Sequence, residues 1–485
     1  MNLRTLLQSL PFIGVPEENN EITGISNNHQ KIEKGHLFIC IKGHAFDGHN
    51  FAEEAVNNGA VAVVAEKPLQ VGVPVILVKD TKKAMAILGD AFYHHPSQKI
   101  HLIGITGTNG KTTTSHMIDS IFHDAEQETG LIGTINIKIG SKVLETKNTT
   151  PDSLELQKVF HEMVEEKIDT AIMEVSSHAL VQGRVNGCDY DVAVFTNLSQ
   201  DHLDYHHTME EYRRAKSLLF SKLGNTYSTK HPKFAVLNAD DEISKSFASE
   251  TSAHVITYGV KKSADFQADS ITYHSNGVTF TLLSPEGKRE VHLPLAGEFN
   301  VYNALAAIAT AYVSNIPFQD IVKSIEQIKG VPGRFELVDG GQKFSVIVDY
   351  AHTPDGLENV LRTIQQFAKK RVFCVVGCGG DRDPSKRPLM AKIACKWATD
   401  PIFTSDNPRT EDPNVIIEDM KKGVEGEQFI IEPDRKKAIE CAIGLAKAGD
   451  VVLVAGKGHE TYQIIGDQVH DFDDRLVSLE AIRKS

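Results

Sequence analysis

The sequence lacks several features, and each absence excludes a class of protein. Its six cysteines include no Cys-x-x-Cys pair and no metal-ligand spacing, which favours a reduced protein over a disulfide-bonded or zinc-binding one. A formal net charge of −13, with no run of lysine and arginine, argues against nonspecific binding to nucleic acid. No segment reaches the roughly 18 uninterrupted apolar residues of a membrane span, and the first five residues do not begin a signal peptide. We therefore expect a cytoplasmic protein with no membrane span and no nucleic-acid partner.

The length of 485 residues exceeds what one hydrophobic core usually organises, so about three domains of roughly 150 residues each are expected. Composition shifts at residues 94–98 and 329–334 suggest domain boundaries after residues 98 and 332. Short β-branched runs alternate with helical patterns, which is typical of parallel sheets with helices on both faces. These runs are Val61–Val64, Val75–Val78, Thr170–Val175, Val192–Phe195, Val346–Val348, Val372–Val376 and Val451–Val454. We expect a monomeric α/β protein.

A glycine-rich segment at residues 104–113 reads Gly-Ile-Thr-Gly-Thr-Asn-Gly-Lys-Thr-Thr. It lies between an apolar run of strand length, Ile100–Ile105, and a helical pattern, Thr112–Phe122. In such a turn backbone N–H groups converge on phosphate oxygens, Lys111 reaches the outer phosphates and the Thr112 hydroxyl can ligate Mg²⁺. The spacing departs from G-x-x-x-x-G-K-[ST], because the first position is not glycine. We predict an ATP phosphate loop made of Gly107, Thr108, Asn109, Gly110, Lys111, Thr112 and Thr113.

Polar segments follow six of the apolar runs. In open α/β sheets ligands bind beyond the carboxyl ends of the strands, so these segments are candidate binding residues. They begin at Glu174, Thr196, Asp349, Gly377, Asp406 and Gly456. Any one of them could be a solvated turn or a helix cap. Six together favour a broad cleft.

The motifs at residues 106–112, 174–178, 197–204, 298–303, 333–334 and 349–352 together resemble the Mur ligase family. These ATP-dependent enzymes extend the peptide of the bacterial cell-wall precursor, and the resemblance covers the whole chain. It implies a Rossmann-like domain at 1–98 that holds the UDP end of the substrate. It also implies a central P-loop ATPase domain at 99–332 and a C-terminal Rossmann-like domain at 333–485 that brings the amino acid. The implied reaction passes through an acyl phosphate, with catalysis by positioning and charge neutralisation.

The resemblance implies catalytic roles for Lys111, Glu174, His202 and Lys216. It implies that Mg²⁺ is held by Thr112, Glu174, His202 and Lys216, the last as a carbamate (N6-carboxylysine) formed with CO₂. It places Asn303, Arg334 and Asp349 on ATP, with His352 beside them. From the sequence alone Lys216 is a solvated lysine in a helix that Thr208–Glu211 opens, so only the resemblance assigns it chemistry.

The same resemblance implies UDP-MurNAc-L-Ala-D-Glu as the substrate, contacted by Asn148, Thr149, Thr150, Ser176, Gln182 and Arg184. Where relatives usually have Asp-Ser-Arg, this chain has Asn28-His29-Gln30, so the uridine contacts there stay open.

The added amino acid would be read by Arg382, Asp406, Asn407, Pro408, Arg409, Gly456 and Glu460. The guanidinium of Arg409 can clamp a distal carboxylate and repel the ammonium of lysine, which favours meso-2,6-diaminopimelate.

Three alternatives stay open from the sequence. They are an L-lysine-adding version of the same ligase, a folylpolyglutamate-type ligase and a catalytically silent nucleotide-binding scaffold. The residues before the phosphate loop count against the second, because a pterin substrate needs no UDP-binding domain. The intact Lys111, Glu174, His202 and Lys216 count against the third.

Overall fold

The computed structural model describes residues 1–11, 13, 14, 16–43, 46–225, 232–274 and 277–484. The chain divides into two compact units. The first unit consists of residues 1–104, 126–193 and 222–233, and the second consists of residues 105–125, 194–221 and 234–485.

The strands in chain order are β1 Gly24–Ser26, β2 His36–Ile39, β3 Ala60–Ala65, β4 Val75–Leu77, β5 His101–Thr106, β6 Thr129–Ile132, β7 Ile137–Ile139, β8 Lys142–Leu144, β9 Thr170–Glu174, β10 Val192–Phe195, β11 Phe234–Asn238, β12 His254–Gly259, β13 Phe266–His274, β14 Gly277–Ser284, β15 Gly287–Leu293, β16 Glu336–Leu337, β17 Ser345–Asp349, β18 Val372–Val376, β19 Asp400–Phe403, β20 Ile430–Ile431, β21 Val451–Ala455, β22 Tyr462–Ile465 and β23 Gln468–Asp471.

The α-helices are α1 Leu3–Leu7, α2 Ala52–Asn57, α3 Thr81–Phe92, α4 Lys111–Asp124, α5 Ser153–Glu165, α6 Ser177–Val181, α7 Leu203–His206, α8 Met209–Ser221, α9 Ser244–Glu250, α10 Glu298–Val313, α11 Phe318–Gln327, α12 Pro354–Phe367, α13 Lys386–Trp397, α14 Pro413–Lys421, α15 Arg435–Leu445 and α16 Asp474–Lys484.

In the first unit, β1 to β4 form a parallel sheet in sequence order. Five of the six residues of β3 are buried, as expected for a parallel strand covered on both faces. Asp80 caps helix α3, because its carboxylate accepts from the N–H of Lys83, and the helix packs Ala84 and Leu88 into the core of this sheet. In the same unit β6 pairs with β9 in parallel, while β6, β7 and β8 form an antiparallel meander.

In the second unit, β11, β12 and β13 are parallel, and β13 to β15 continue as an antiparallel meander. The C-terminal residues form a sheet of order β16-β17-β21-β18-β19-β20, in which all strands but β16 are parallel. Alternate residues of β17 point to opposite faces: Ile347 packs with α12, α13 and α14, whereas Val346 and Val348 pack with α15 and α16.

The α/β prediction is confirmed, and in the C-terminal sheet helices do cover both faces. The antiparallel strands β13 to β15, β22 and β23 were not predicted, because they are half-polar and lack the continuous apolar runs of parallel strands. The boundaries after residues 98 and 332 stay predictions. In the described part of the chain, no helix is both long enough and apolar enough to cross a membrane.

Candidate functional site

The phosphate loop connects β5 to α4, as the sequence predicts. Gly107 and Gly110 have φ angles of 154° and 88°, and Gly110 caps the helix that begins at Lys111. A Cβ atom on Gly107 would lie 1.8 Å from Oγ1 of Thr196, so only glycine fits there. The loop therefore presents backbone N–H groups at a helix N-terminus, an arrangement that suits phosphate.

The segment after β10 holds the loop in place. Thr196 Oγ1 donates to the carbonyl of Asn109 at 2.7 Å, and Asn197 Oδ1 accepts from the Asn109 N–H at 3.0 Å. The Thr108 hydroxyl contacts the carbonyl of Ser199 at 3.2 Å. Hydrogen bonds within the protein thus hold Thr108 and Asn109 of the predicted loop in place.

Two lysines meet on this loop. Lys111 Nζ donates to the Gly107 carbonyl at 2.9 Å, and Lys216 Nζ donates to the same oxygen at 2.8 Å. Lys216 is only 1% exposed and its ammonium lies 4.4 Å from the ring centroid of Tyr212. Burial and repulsion by Lys111 lower the pKa of Lys216 well below its usual value, although Asp201 opposes the shift. The helix lysine that the sequence alone suggests to be solvated is therefore buried at the phosphate loop.

Asp201 lies among the predicted site residues, although the sequence reasoning did not single it out. Its carboxylate lies 3.3 Å from His202 Nε2, 3.7 Å from His352 Nε2 and 3.7 Å from Lys386 Nζ. Burial alone would raise the pKa of Asp201, but the hydrogen bond with His352 and the charges of His202 and Lys386 hold the pKa well below its usual value. The sequence did contain an indication of its importance, since Asp201 lies between the end of β10 and the predicted metal ligand His202.

A cavity of about 570 Å³ lies beside the phosphate loop, a volume typical of small-molecule sites. Six of the predicted ATP residues line it: Asn109, Gly110, Thr113, Asn303, Arg334 and Asp349. Asn303 Oδ1 would lie 2.5 Å from a Cβ atom on Gly110, so this amide packs directly on the loop. The lining also includes Asp240 and Tyr302, joined by a 2.8 Å hydrogen bond, which the sequence reasoning did not single out.

Arg334 reaches from the C-terminal segment to the loop. Its Nη2 donates to Thr112 Oγ1 at 3.0 Å, and its guanidinium lies 4.4 Å from the ring centroid of Tyr350. Its buried Nε has no hydrogen-bond partner among the described residues, as expected of a donor intended for a ligand. Asp349 accepts from the N–H groups of Phe335 and Ala351, and burial raises its pKa although Arg334 opposes the shift.

Glu174 ends β9 in the first unit and is buried. Both carboxylate oxygens accept from Thr134, one from its N–H at 2.9 Å and the other from its hydroxyl at 3.0 Å. A Cβ atom on Gly133 would lie 2.4 Å from Glu174 Oε1. Thr134 was not predicted, and nothing in its local sequence marks it.

The predicted substrate residues of the first unit cluster around Thr150, apart from the exposed Asn148. Thr150 Oγ1 donates to the carbonyl of Glu174 at 2.8 Å and accepts from the Ser176 N–H at 3.1 Å. Arg184 donates to the Thr150 carbonyl at 2.9 Å and, through two nitrogens, to Gln182 Oε1 at 2.9 and 2.7 Å. Thr149 joins the group through its hydroxyl, 3.1 Å from that of Thr134.

The segment Asn28-His29-Gln30 makes local contacts. Asn28 Oδ1 accepts from the Gln30 N–H at 2.9 Å and caps a short 3₁₀ helix. His29 stacks on Phe51 with ring centroids 4.4 Å apart. A role for these residues in uridine binding stays open.

The predicted amino-acid residues lie together at the carboxyl ends of β19 and β21. Asn407 Nδ2 donates to Glu460 Oε2 at 2.9 Å, and a Cβ atom on Gly456 would lie 2.5 Å from Asp406 Oδ2. Lys457, which the sequence reasoning passed over within the Gly456–Glu460 segment, is fully buried and contacts both Asn407 and Glu460.

Arg409 has a positive φ of 51°, uncommon for a residue other than glycine. Its backbone is held by the hairpin of β22 and β23, through the carbonyl of Ile464 and the N–H of Gly466. Its Nη1 donates to the Gly380 carbonyl at 2.7 Å. Both Arg409 and the exposed Arg382 pack against Gly379: a Cβ atom on that glycine would lie 3.0 Å from Nη1 of Arg409 and 3.8 Å from Cγ of Arg382. The structure thus brings the two arginines close together. The Pro408 carbonyl packs against Gly380, where a Cβ atom would lie 1.9 Å away.

The assignment of Mg²⁺ ligands stays a prediction. Within the residues that the structure describes, no group of three or more histidine, cysteine, aspartate and glutamate side chains is arranged to hold a metal. The predicted set does not require one, because it consists of a hydroxyl, one carboxylate, one imidazole and a modified lysine. The roles of all site residues therefore stay predictions.

Comparison with known proteins identifies the family. Family profiles match at residues 21–93 (Mur ligase family, catalytic domain), 105–311 (Mur ligase middle domain) and 333–458 (Mur ligase, glutamate ligase domain). A UDP-N-acetylmuramoyl-L-alanyl-D-glutamate–2,6-diaminopimelate ligase of Listeria monocytogenes serotype 4b (strain F2365) is 59% identical over 486 residues, which covers 100% of this chain and 99% of that protein. The ligase of the same name from Bacillus cereus (strain ATCC 14579) is 57% identical and covers 99% and 98%.

A solved structure of a UDP-N-acetylmuramoyl-L-alanyl-D-glutamate–2,6-diaminopimelate ligase has the same fold, with a TM-score of 0.70 and 36% identity. The match covers 100% of this chain and 99% of that one. The similarity therefore extends over every part of the chain, including both the phosphate loop and the C-terminal sheet. The chain belongs to the Mur ligase family.

Proposed function

We propose that this protein is an ATP-dependent, ADP-forming amide ligase that adds meso-2,6-diaminopimelate to UDP-MurNAc-L-Ala-D-Glu during synthesis of the cell-wall precursor. The observation that carries this proposal is full-length similarity, at 54–59% identity, to relatives that are each named as the diaminopimelate-adding ligase. These relatives also match the residues before the phosphate loop, which counts against a folate-type ligase.

The mechanism begins with attack of the substrate's terminal carboxylate on the γ-phosphorus of ATP. An oxygen–phosphorus bond forms, the bond to ADP breaks, and an acyl phosphate results. The neutral amine of the amino acid then attacks the acyl carbon, loses a proton to solvent and expels inorganic phosphate. The phosphate loop, Lys111 and Arg334 neutralise the transferring phosphoryl group, and Asn303 packs beside the loop, where we place the nucleotide.

The residues also fit Mg²⁺, which neutralises phosphate charge and orients phosphate oxygens when it is bound. We assign its coordination to the Thr112 hydroxyl, the Glu174 carboxylate and His202. The carboxylate of Glu174 is already oriented by the two hydrogen bonds from Thr134, as expected of a ligand held by its neighbours.

We assign a carbamate to Lys216 as part of the same proposal. The buried amine lies on the phosphate loop, and its lowered pKa favours the neutral form, which can attack CO₂. A nitrogen–carbon bond forms, the π electrons of one C=O bond of CO₂ move onto oxygen and one proton leaves to solvent, so the neutral amine becomes an anionic carbamate. The carbamate is attracted to the charge of Lys111.

The choice of amino acid rests on Arg409. In the part of the chain that the structure describes, no carboxylate lies within ion-pair distance of this guanidinium, which donates to the carbonyls of Gly380 and Asn407. Its charge therefore remains available for the distal carboxylate of diaminopimelate. L-Lysine has no such group, and its ammonium would be repelled.

The test is phosphate release with ATP, Mg²⁺ and UDP-MurNAc-L-Ala-D-Glu, with meso-diaminopimelate or L-lysine supplied in parallel. We expect turnover with diaminopimelate. Arg409→Ala should raise the KM for diaminopimelate by about tenfold or more, with a smaller effect on the KM for ATP. Arg475→Ala, which removes a guanidinium of α16 that is paired with Asp473, is the control and should behave as wild type. A wild-type preference for lysine would overturn the assignment, and no turnover with either would favour a non-catalytic protein.

A further inference from the structure

Strand β22 contacts β23 along one edge and the segment 406–409 along the other, and this segment contains four of the predicted amino-acid residues. The pairing of β22 with β23 is antiparallel, whereas the bridge between Arg409 and Ile465 is parallel. The N–H of Arg409 donates to the Ile464 carbonyl at 3.1 Å, and the N–H of Gly466 donates to the Arg409 carbonyl at 2.7 Å. The segment therefore lies beside β22 as a third strand would.

Two further hydrogen bonds connect β22 to this segment and involve side chains. The Gln463 Nε2 donates to the Asp406 carbonyl at 2.7 Å, and Gln463 is only 9% exposed. The Ser405 hydroxyl also lies near that carbonyl, but at the longer distance of 3.4 Å. The N–H of Ile464 donates to Asn407 Oδ1 at 3.0 Å. Strand β22 thus binds the segment at its start, in its middle and at its end.

These bonds matter because Arg409 has a backbone conformation that is unfavourable in isolation. Its φ of 51° lies in the left-handed region, which residues with a Cβ atom rarely adopt. Such a conformation persists where the surrounding structure fixes it. The direction of the Arg409 side chain depends on this backbone, and its guanidinium is the group to which we assign the distal carboxylate. The contacts that hold the segment therefore also set the position of that guanidinium.

We propose that Gln463 is a positioning residue for the amino-acid substrate and acts through Arg409. This inference rests on the proposed function. Of the hydrogen bonds from β22 described above, the one from Gln463 uses a side chain of β22, whereas the others use its backbone groups. Loss of this donor leaves the buried Asp406 carbonyl without its short hydrogen bond, and a change in the backbone of the segment relieves that cost. The guanidinium then loses the alignment that two hydrogen bonds to a carboxylate require.

The main experiment compares wild type with Gln463→Met, which keeps the side-chain length and removes the donor. Phosphate release is measured at varied meso-diaminopimelate with the other substrates saturating, and at varied ATP in a second series. We expect the KM for diaminopimelate to rise by about fivefold or more, while kcat and the KM for ATP change by less than about twofold. This difference is expected because Arg409 would hold the distal end of the amino acid and not the amine that reacts.

Gln342→Met is the matched control. The Gln342 Nε2 also donates to a backbone carbonyl, that of Val338, at 2.9 Å. Gln342 lies between β16 and β17, at the amino end of β17, whereas the predicted amino-acid residues lie at the carboxyl ends of the strands of this sheet. The same substitution there should leave the KM for diaminopimelate within about twofold of wild type.

A double variant tests whether Gln463 acts through Arg409. The guanidinium is absent from Arg409→Ala, so adding Gln463→Met should raise the KM for diaminopimelate by less than about twofold more. Two increases that multiply would overturn the inference, because the residues would then act independently. An unchanged KM in Gln463→Met alone would also overturn it, as would a fall in kcat without a change in KM, which would indicate a purely structural role.

Hydrogen exchange of the wild-type protein provides the test if Gln463→Met does not fold. The N–H groups of Arg409, Ile464 and Gly466 should exchange at least about 100-fold more slowly than in the unfolded chain, because each donates across the contact between β22 and the segment. Exchange as fast as in the unfolded chain would overturn the inference. Absence of wild-type turnover with every amino acid would refute the proposed function and this inference with it. Normal wild-type turnover with an unchanged KM in Gln463→Met would refute the inference alone.

Discussion

The amines of Lys111 and Lys216 donate to one carbonyl oxygen, that of Gly107, so two potential positive charges are held close together in a buried place. Burial and the neighbouring Lys111 disfavour the protonated form of Lys216 in the folded protein, so its pKa lies well below the ordinary value of 10.5. The unfolded chain has no such penalty. The arrangement therefore costs stability at pH values below 10.5, and the cost disappears above that pH.

At the residue scale we predict that Lys216→Met lowers the kcat of the ligase by about 100-fold or more. The same variant should nevertheless be more stable than wild type at neutral pH. The sign follows from the lowered pKa. Between the folded-state pKa and 10.5 the unfolded chain binds the extra proton, so wild-type stability rises with pH in that window. The stability difference between variant and wild type should be larger at neutral pH than at alkaline pH and should close as pH approaches 10.5. Urea denaturation over a pH series measures it.

Bicarbonate provides the control for the carbamate. A carbamate forms only on the folded wild type, so added bicarbonate should stabilise wild type and leave Lys216→Met unchanged. Lys245→Met, on an exposed lysine paired with Glu242, should respond as wild type does. Equal responses of wild type and Lys216→Met to bicarbonate would contradict the carbamate assignment.

At the element scale, α15 and α16 are joined by the fully buried ion pair of Arg435 and Asp474, which stand at the first positions of the two helices. Arg435 also donates to the carbonyls of Ser405 and Ala455, beyond or at the ends of β19 and β21. One guanidinium thus ties two helices to the two strand ends that carry the amino-acid pocket.

Arg435→Met should therefore destabilise the protein by about 3–5 kcal/mol, because it leaves Asp474 as a buried charge without its partner. Adding Asp474→Leu should recover much of that loss, since an apolar pair of similar volume needs no compensation for charge. Equilibrium urea unfolding of the two variants measures both values. A double variant no more stable than Arg435→Met would indicate that the hydrogen bonds to the strand ends, and not the charge pair, carry the stabilisation.

The same elements show what the sequence could and could not predict. The strand ending at Val376 was predicted to the residue, and Glu174 was correctly placed at a strand end, because continuous apolar runs and the residues after them are local signals. Arg435 and Asp474 are 39 positions apart, and nothing local relates them. The burial of Lys216 is likewise a tertiary effect, since the helix pattern around it indicates a solvated lysine.

At the scale of the whole molecule, the second unit joins the phosphate loop to the C-terminal sheet through polar contacts. Asn109 donates to Asp355 at 3.0 Å, Arg334 donates to Thr112 at 3.0 Å, and Asp201 is ion-paired with Lys386. The cavity beside the phosphate loop is lined from both segments, so these contacts set the distance between the residues we assign to ATP and the C-terminal sheet. The reaction we propose requires water to be excluded from its acyl phosphate, so contacts that hold these two segments together matter for it.

We predict that Asp201→Asn loosens this connection, because Lys386 is buried and loses its only carboxylate partner in the described chain. The unit should lose about 1–3 kcal/mol at neutral pH, and hydrogen exchange should increase at residues 200–202 and 352–355 but not in α16. The pKa of Asp201 lies well below the ordinary 3.8, so the difference should be fully present above that pH and should shrink as pH falls below it. Exchange measured by mass spectrometry at two pH values tests both parts. Unchanged exchange at both segments would show that the remaining contacts, those of Asn109 and Arg334, hold the loop and the C-terminal sheet together on their own.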